Sequence, residues 1–586
     1  MIPFIKMTSR IKNFKILYKV YSSQMQTIPE KKLSIGKTKL RILKYGIVLA
    51  TCGITTYYFS LSNQEKRFYK VTFSGIAHFI RSSSICAIIS LDYWWSLKGL
   101  NEGTEEYENR INETHQRAAN LILQGCLKNG GLYIKFGQGL VSMDHVLPKE
   151  FISTLKVLQD KCLTRSKGEV KQLFIEDFGK AHTDIFKSFD EEPIAAASLA
   201  QVFKAETKDG MKVAVKAQYI DLQDRYIGDI ATIQCLLRLA GFLFPKFNFE
   251  WILVELKDTL KQELDFLHEG KNSEQCAKEL EHFPFVYIPK INWDLSSKRI
   301  LTAEFIDGIK INEKEKLVQN GFTLADIDYK LFKIFSEQIF HTGFVHADPH
   351  PGNVLVRHGV DNKAQLVLLD HGLYEFMPFS IRHSLCNLWK SIVLNDHYGM
   401  KKYALELGVE ERDYRLFCIA IAQRYISSPP GSEEKNDVFQ LFFTSKGPQM
   451  TSRVFKNLSG DEKEQIRLKI IAIHDRSIAV FKAIPSKLML ITRNINTIRS
   501  IARNHGDPVD RYTIMARSAV QGAFVSGKSG LLSKIAGLRS RIYFEIKLWW
   551  DGLQLWLLKT TINSMISLGF MADVSQEKKI DFLSLH

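Results

Sequence analysis

Between Gly343 and Val356 the sequence reads GFVHADPHPGNVLV, which crowds His346, Asp348, His350 and Asn353 into a run bent by Pro349 and Pro351. Two chemistries use such groups. His346 and His350 stand four apart, a spacing that on a helix would put two metal ligands on one face. The prolines rule against a helix here, because each lacks a donor and crowds the preceding turn, and no third ligand pair accompanies them. Phosphoryl transfer needs something else: a carboxylate near the attacking group and a carbonyl oxygen on a hard cation. His346, Asp348 and Asn353 keep the H-R-D-x-x-x-x-N spacing of that chemistry, with Ala347 in place of the arginine.

The rest of such a centre must come from elsewhere in the chain. VLLDHG puts Asp370 at the end of an apolar run, where an aspartate of D-F-G type would hold Mg²⁺, with His371 standing for phenylalanine. Upstream, VAVKAQ offers Lys216 on an alternating strand. A lone strand lysine is weak evidence; its order ahead of Asp348 and Asp370 gives it meaning. A glycine-rich phosphate loop would be expected before the lysine. Ala195, Ala197, Ala200 and Val202 occupy that spacing instead, with Ala196 and Ser198 between them. Alanine lacks the positive-φ freedom of glycine, so this loop should be stiffer over a nucleotide, and ordinary protein phosphorylation is put in doubt.

The elements that must carry these residues follow from periodicity. Residues 63–185 read as a helical extension, interrupted by NGGLYIKFGQGL at 129–140. Residues 186–310 begin with two alternating strands around Lys208-Asp209-Gly210, a hairpin signal. One helical segment is expected through WILVELKDTLKQELDFLHEGKNSEQCAKEL, then strand-like pieces at VYIPKINWDL and KRILTAEFIDG. Residues 311–530 are chiefly helical. The expected fold is α+β, a protein-kinase-like arrangement of two lobes behind a helical extension.

This set of motifs resembles the aarF-domain-containing, UbiB-like atypical kinases. The resemblance covers roughly residues 75 to 525 and includes a K-x-G-Q signature at Lys135, Gly137 and Gln138. LLDHGLYE, RNINTIR and DPVDRYTIMARSAV look most like the fifth aarF-domain-containing kinase of animals. The resemblance implies that Lys135 and Gln138 reach into the nucleotide site from the extension, steadied by an E-x-D pair, Glu263 and Asp265. It places Glu269 where a helical glutamate pairs with Lys216. It further implies ATP and Mg²⁺ as ligands, with Asn353 and Asp370 on the metal and Asp348 at the acceptor. A peptide-docking cleft covered by the extension favours ATP hydrolysis, or a small or lipid-like acceptor such as an isoprenoid, and a role in mitochondrial lipid or coenzyme Q homeostasis.

Charge and hydropathy bear on location. The net charge of +16 is unevenly spread: before Tyr45 the only acid is Glu30, against eleven lysines and arginines from Lys6 to Lys44. That is the profile of a mitochondrial presequence over residues 1–44. Residues 45–62 carry no charge and are just long enough for a single span. A presequence entering first would leave the amino end in the matrix and the catalytic body in the intermembrane space, on the inner membrane. Residues 531–586 include an amphipathic, aromatic-rich stretch suited either to a membrane surface or to packing on the body. Besides the membrane-anchored phosphotransferase or ATPase, two other readings apply. One is a pseudokinase whose nucleotide binding switches a lipid or protein complex, against which stand the retained Asp348, Asn353 and Asp370. The other is a basic RNA-associated protein, against which stand the absence of an aromatic-basic motif and an excess charge that lies largely in the presequence; no nucleic-acid partner is expected.

Overall fold

The computed structural model describes residues 56–57, 59–101, 104–141, 147–159, 168–196, 199–243, 260–422, 486–524 and 542–550, with a few single positions between and beyond. The expected presequence, most of segment 45–62, and Ala197 and Ser198 lie outside the described residues. Two compact units are present, Met1–Phe73 and Ser74–His586. Everything that positions the site belongs to the second.

The helical extension comprises α1 (Asn63–Ser96), α2 (Glu105–Asn129), α3 (Leu132–Val141) and α4 (Lys149–Leu155). Thr104 caps the start of α2, its side chain accepting from Tyr107 N–H. Gly130 and Gly131 end α2, with φ of 68° and 49°. Only glycine adopts such values in succession at little cost, so the chain turns there and α3 leaves in a new direction. Leu132, Ile134 and Leu140 of α3 then share a core with Leu155, Leu158 and Leu222.

The first lobe is built on a sheet ordered β1-β3-β4-β6, with β2 paired to β3. Its strands are β1 (Ser188–Phe189), β2 (Ala195–Ala196), β3 (Ala200–Glu206), β4 (Lys212–Gln218) and β6 (Ile300–Glu304). Gly210, at φ 82°, makes the β3–β4 turn. Alternation decides what faces where: Val213, Val215 and Ala217 of β4 join Phe203 and Ala205 in one core, which leaves Lys216 on the opposite face. Helix α5 (Leu222–Leu243) follows β4, and α6 (Phe266–Glu279) precedes the strand β5 (Val286–Tyr287). The continuous helix expected across this region is broken. Helical backbone runs to residue 263, turns at 264–265, and restarts as α6. Asp265 caps the restart, its carboxylate accepting from the N–H groups of Leu267 and His268.

The second lobe carries a small sheet ordered β5-β10-β9-β7, and a β8–β11 pair. These strands are β7 (Ile309–Lys310), β8 (Phe344–His346), β9 (Val354–His358), β10 (Ala364–Leu368) and β11 (Tyr374–Phe376). Its helices include α7 (Leu324–Glu337), α8 (Phe379–Val393), α9 (Ser486–His505) and α10 (Arg511–Phe524). One large core joins them through Phe335, Phe340, Trp389, Ile498 and Val520. Residues 542–550 are helical; Phe544 enters that same core and Glu545 pairs with Arg517 at 3.1 Å. This part of the C-terminal region therefore packs on the body.

Candidate active site

Lys216 leaves β4 toward α6. Its ammonium donates to Glu269 Oε1 at 2.7 Å and stands 3.3 Å from Asp370 Oδ2, over the ring of Phe266 at 5.1 Å. Glu269 sits in the first turn of α6, so the cap made by Asp265 fixes the helix start that aims it. Burial pulls the lysine down, but Asp370 and Glu269 outweigh it and hold the ammonium well above its ordinary range. Burial likewise pushes the Glu269 carboxyl up to about 7, with Lys216 pulling back and Asp370 adding to the rise. Asp370 goes the other way: against burial, Lys216 and the Gly372 N–H keep it well below the usual carboxylate range.

The bent run of prolines is a chain of short-range bonds. His346 N–H donates to Gln338 Oε1 at 3.1 Å, and His346 Nδ1 accepts from Asp348 N–H at 3.1 Å. Burial keeps this imidazole below its ordinary pKa, consistent with the neutral acceptor that its bond to Asp348 N–H requires. His350, which has no role in the motif reading, uses Nδ1 to accept from Gly352 N–H at 3.1 Å and closes the turn before Asn353. Leu369 N–H donates to the Asn353 carbonyl at 2.9 Å. That bond ties the residue before Asp370 to Asn353, so the two oxygen donors flank the same end of the paired strands β9 and β10. Gly372 N–H occupies Asp370 Oδ1 at 2.9 Å. A cation that keeps much of its water and takes one or two protein oxygens suits this donor set, as Mg²⁺ does.

Asp348 is flanked by cations from two distant elements. Arg493 of α9 stands 3.0 Å from Asp348 Oδ2. Lys135 of α3 pairs with Glu263 at 2.8 Å, close enough to Asp348 that each draws the other's titration. Burial raises Asp348, yet Arg493 and Lys135 together hold it below its ordinary range. Of the K-x-G-Q group, Lys135 thus comes to the site, whereas Gln138 Nε2 donates to the Leu158 carbonyl at 2.8 Å. Gly137 lets α3 close down: a Cβ there would stand 3.4 Å from Cys126 Sγ and run into Leu158 Cδ1. The E-x-D pair divides its labour, Glu263 holding Lys135 while Asp265 caps α6.

Of the alanine-rich stretch, β2 pairs antiparallel with β3, Ala195 opposite Val202 and Ala196 opposite Gln201. Val202 is also the β3 partner of Lys216. Ala200 is buried opposite Gln218.

Two residues at the site carry no motif. Besides Arg493, Asn494 Nδ2 donates to the His346 carbonyl at 2.5 Å. Their helix also sends His505 to Asp328 at 2.7 Å, both side chains fully buried. Only the stretch RNINTIR, noted for its resemblance, marked this helix in the sequence.

The chain is similar to several known proteins. The ABC1 atypical kinase-like domain matches residues 157–404. AarF domain-containing protein kinase 1 of Mus musculus is 39% identical over 73% of this chain and 77% of its own length. A Dictyostelium discoideum protein named "Probable serine/threonine-protein kinase abkD" is 40% identical over 81% of this chain; the chain spans 65% of that relative. Among solved structures, the Rv3197–erythromycin complex from Mycobacterium tuberculosis aligns with 68% of this chain at 22% identity and a TM-score of 0.39. The mouse relative is named as the first of the animal series, whereas the motif stretches look most like the fifth. With its kinase-like lobes, the lysine–glutamate pair and the two-aspartate loop system in place, the chain belongs to the ABC1/AarF atypical kinase-like family.

Proposed function

We propose that this protein binds Mg·ATP and either hydrolyses it or passes the γ-phosphoryl group to a small or lipid-like acceptor at a mitochondrial membrane, in support of lipid or coenzyme Q homeostasis. The observation that carries the reading is the contact of Lys216 with both Glu269 and Asp370, in one cleft with the Asp348–Asn353 loop. Lys216 would take the α/β-phosphates, with Glu269 fixing its direction. Asn353 and Asp370 would hold Mg²⁺, which when bound spreads the charge developing on the transferred group. Asp348 would orient the attacking hydroxyl or water, its carboxylate kept ionised by Arg493 and Lys135. Lys135, Gly137, Gln138, Glu263 and Asp265 would govern how closely the extension covers that side of the cleft.

The test is phosphate release from Mg·ATP by the full chain, with Asp370→Asn as the paired variant. Turnover in the wild type and a fall of at least about a hundredfold in the variant is the expected result. Nucleotide binding with no turnover in either would transfer the site to the pseudokinase switch.

A further inference from the structure

Asn494 of α9 is fully buried and uses its amide unevenly. Nδ2 donates to the His346 carbonyl at 2.5 Å. Oδ1, also buried, has no hydrogen-bond partner among the described residues. An acceptor left unpaired in the interior is costly. What the amide offers against that cost is the bond at Nδ2.

That bond fixes a peptide plane. The carbonyl of His346 and the N–H of Ala347 belong to one planar group, and Ala347 N–H donates to the Leu373 carbonyl at 3.0 Å. The plane is therefore held by α9 at one edge and by the chain just after Asp370 at the other. The next groups are held as well. Asp348 N–H donates to His346 Nδ1 at 3.1 Å, and the Asp348 carbonyl accepts from His350 N–H at 2.7 Å. With the backbone fixed on both sides of its Cα, the Asp348 carboxylate is aimed by its side-chain torsions alone. Arg493, 3.0 Å from Oδ2, constrains those. Two consecutive residues of α9 thus hold Asp348, Asn494 through the backbone and Arg493 through the carboxylate.

We propose that Asn494 is a positioning residue: it sets the peptide plane ahead of Asp348, so that the carboxylate meets the attacking hydroxyl or water at the productive angle. This role rests on the phosphotransfer reading. It needs little movement to show, because a misplacement of about 1 Å can cost about a hundredfold in rate. The far end of α9 offers a comparison. There His505 lies 2.7 Å from Asp328 and, through Nε2, 2.7 Å from the Ile311 carbonyl. This anchor stands about 16 Å along the helix from Asn494, so it fastens α9 without touching the Asp348 loop.

The experiment follows phosphate release from Mg·ATP and thermal melting for the full chain and three variants. Asn494→Ala should lower kcat by about tenfold to a hundredfold, with KM for ATP changed less than about threefold, since Lys216 and Asp370 keep their contacts. His505→Ala should lower the melting temperature while kcat stays within about threefold. Asn494→Asp keeps the shape, sets a carboxylate against the His346 carbonyl while ionised, and donates to it again once protonated. Its kcat relative to wild type should rise by about tenfold from about pH 8 to about pH 5.5. The charged groups around His346, namely Asp348, Asp370 and Arg493, are common to both proteins, as is Glu269, so the ratio removes their titration. Should Asn494→Ala fail to fold, that ratio decides. Undiminished kcat in Asn494→Ala, a ratio flat in pH, or an equal loss of kcat in His505→Ala at the same fall in melting temperature each overturns the role. Absence of turnover in the wild type would instead defeat the phosphotransfer reading, and this role with it.

Discussion

Glu269 illustrates how one buried carboxyl can set a pH limit. Burial raises it to about 7, with Lys216 opposing and Asp370 adding to the rise, so it takes up a proton as the medium turns mildly acidic. The pair with Lys216 then loses its charge, and the lysine is released to swing toward Asp370. Phosphate release per unit of bound enzyme should therefore fall about tenfold per pH unit below about pH 7. Unfolding does not explain this loss, because the sign of linkage is opposite. A carboxyl whose folded pKa lies above its unfolded value favours the fold at low pH, and that contribution is lost as pH rises through the interval up to about 7. Acid should thus cost activity while this group, taken alone, adds stability. A pH–rate profile beside thermal melts at each pH separates the two. A rate that stays level down to about pH 5, or that falls only in step with melting, would remove Glu269 from this role.

At the scale of elements, α9 is the part that local reading could not place. Lys216, Asp348, Asn353 and Asp370 were legible because their chemistry demands fixed types in a fixed order, and the β3–β4 hairpin because Lys208-Asp209-Gly210 interrupts two alternating runs. Glu263 and Asp265 were legible as a pair, but not the helix break between them; helix formers on both sides hide a cap that only the restart of α6 reveals. Arg493 belongs to an ordinary amphipathic helix, and its meeting with Asp348 joins positions 145 residues apart through the packing of the second lobe. Spacing carries no trace of such a contact. The guanidinium touches Asp348 and not the Lys216–Asp370 pair, so Arg493→Ala should lower kcat by about tenfold to a hundredfold with KM for ATP changed less than about threefold. Arg493→Lys keeps the charge without the planar fork and should fall between. Faster turnover in the alanine variant would mean the pair restrains Asp348 instead of positioning it.

For the molecule as a whole, α1 is where the proposed membrane association can be tested. The segment expected to span, 45–62, lies largely outside the described residues; the one described helix long and apolar enough to cross is Gln64–Ser96. Its 33 residues would extend about 50 Å as a helix, well beyond a ~30 Å hydrocarbon core. Part of it is also committed to the body. Asp92 pairs with Arg117 of α2 at 2.8 Å, and Tyr93 meets His115 at 2.5 Å. A helix held along one side and apolar along the other suits the interface plane, its exposed side sunk about 5–10 Å. Spin labels placed singly at Ile76, Ile80, Ile88, Leu91 and Trp95 should then report one common depth on vesicles, with oxygen favoured over a water-soluble nickel reagent at all five. A crossing helix would instead give depths that rise and then fall along the series. Labels that remain in water throughout would leave the apolar stripe to another partner.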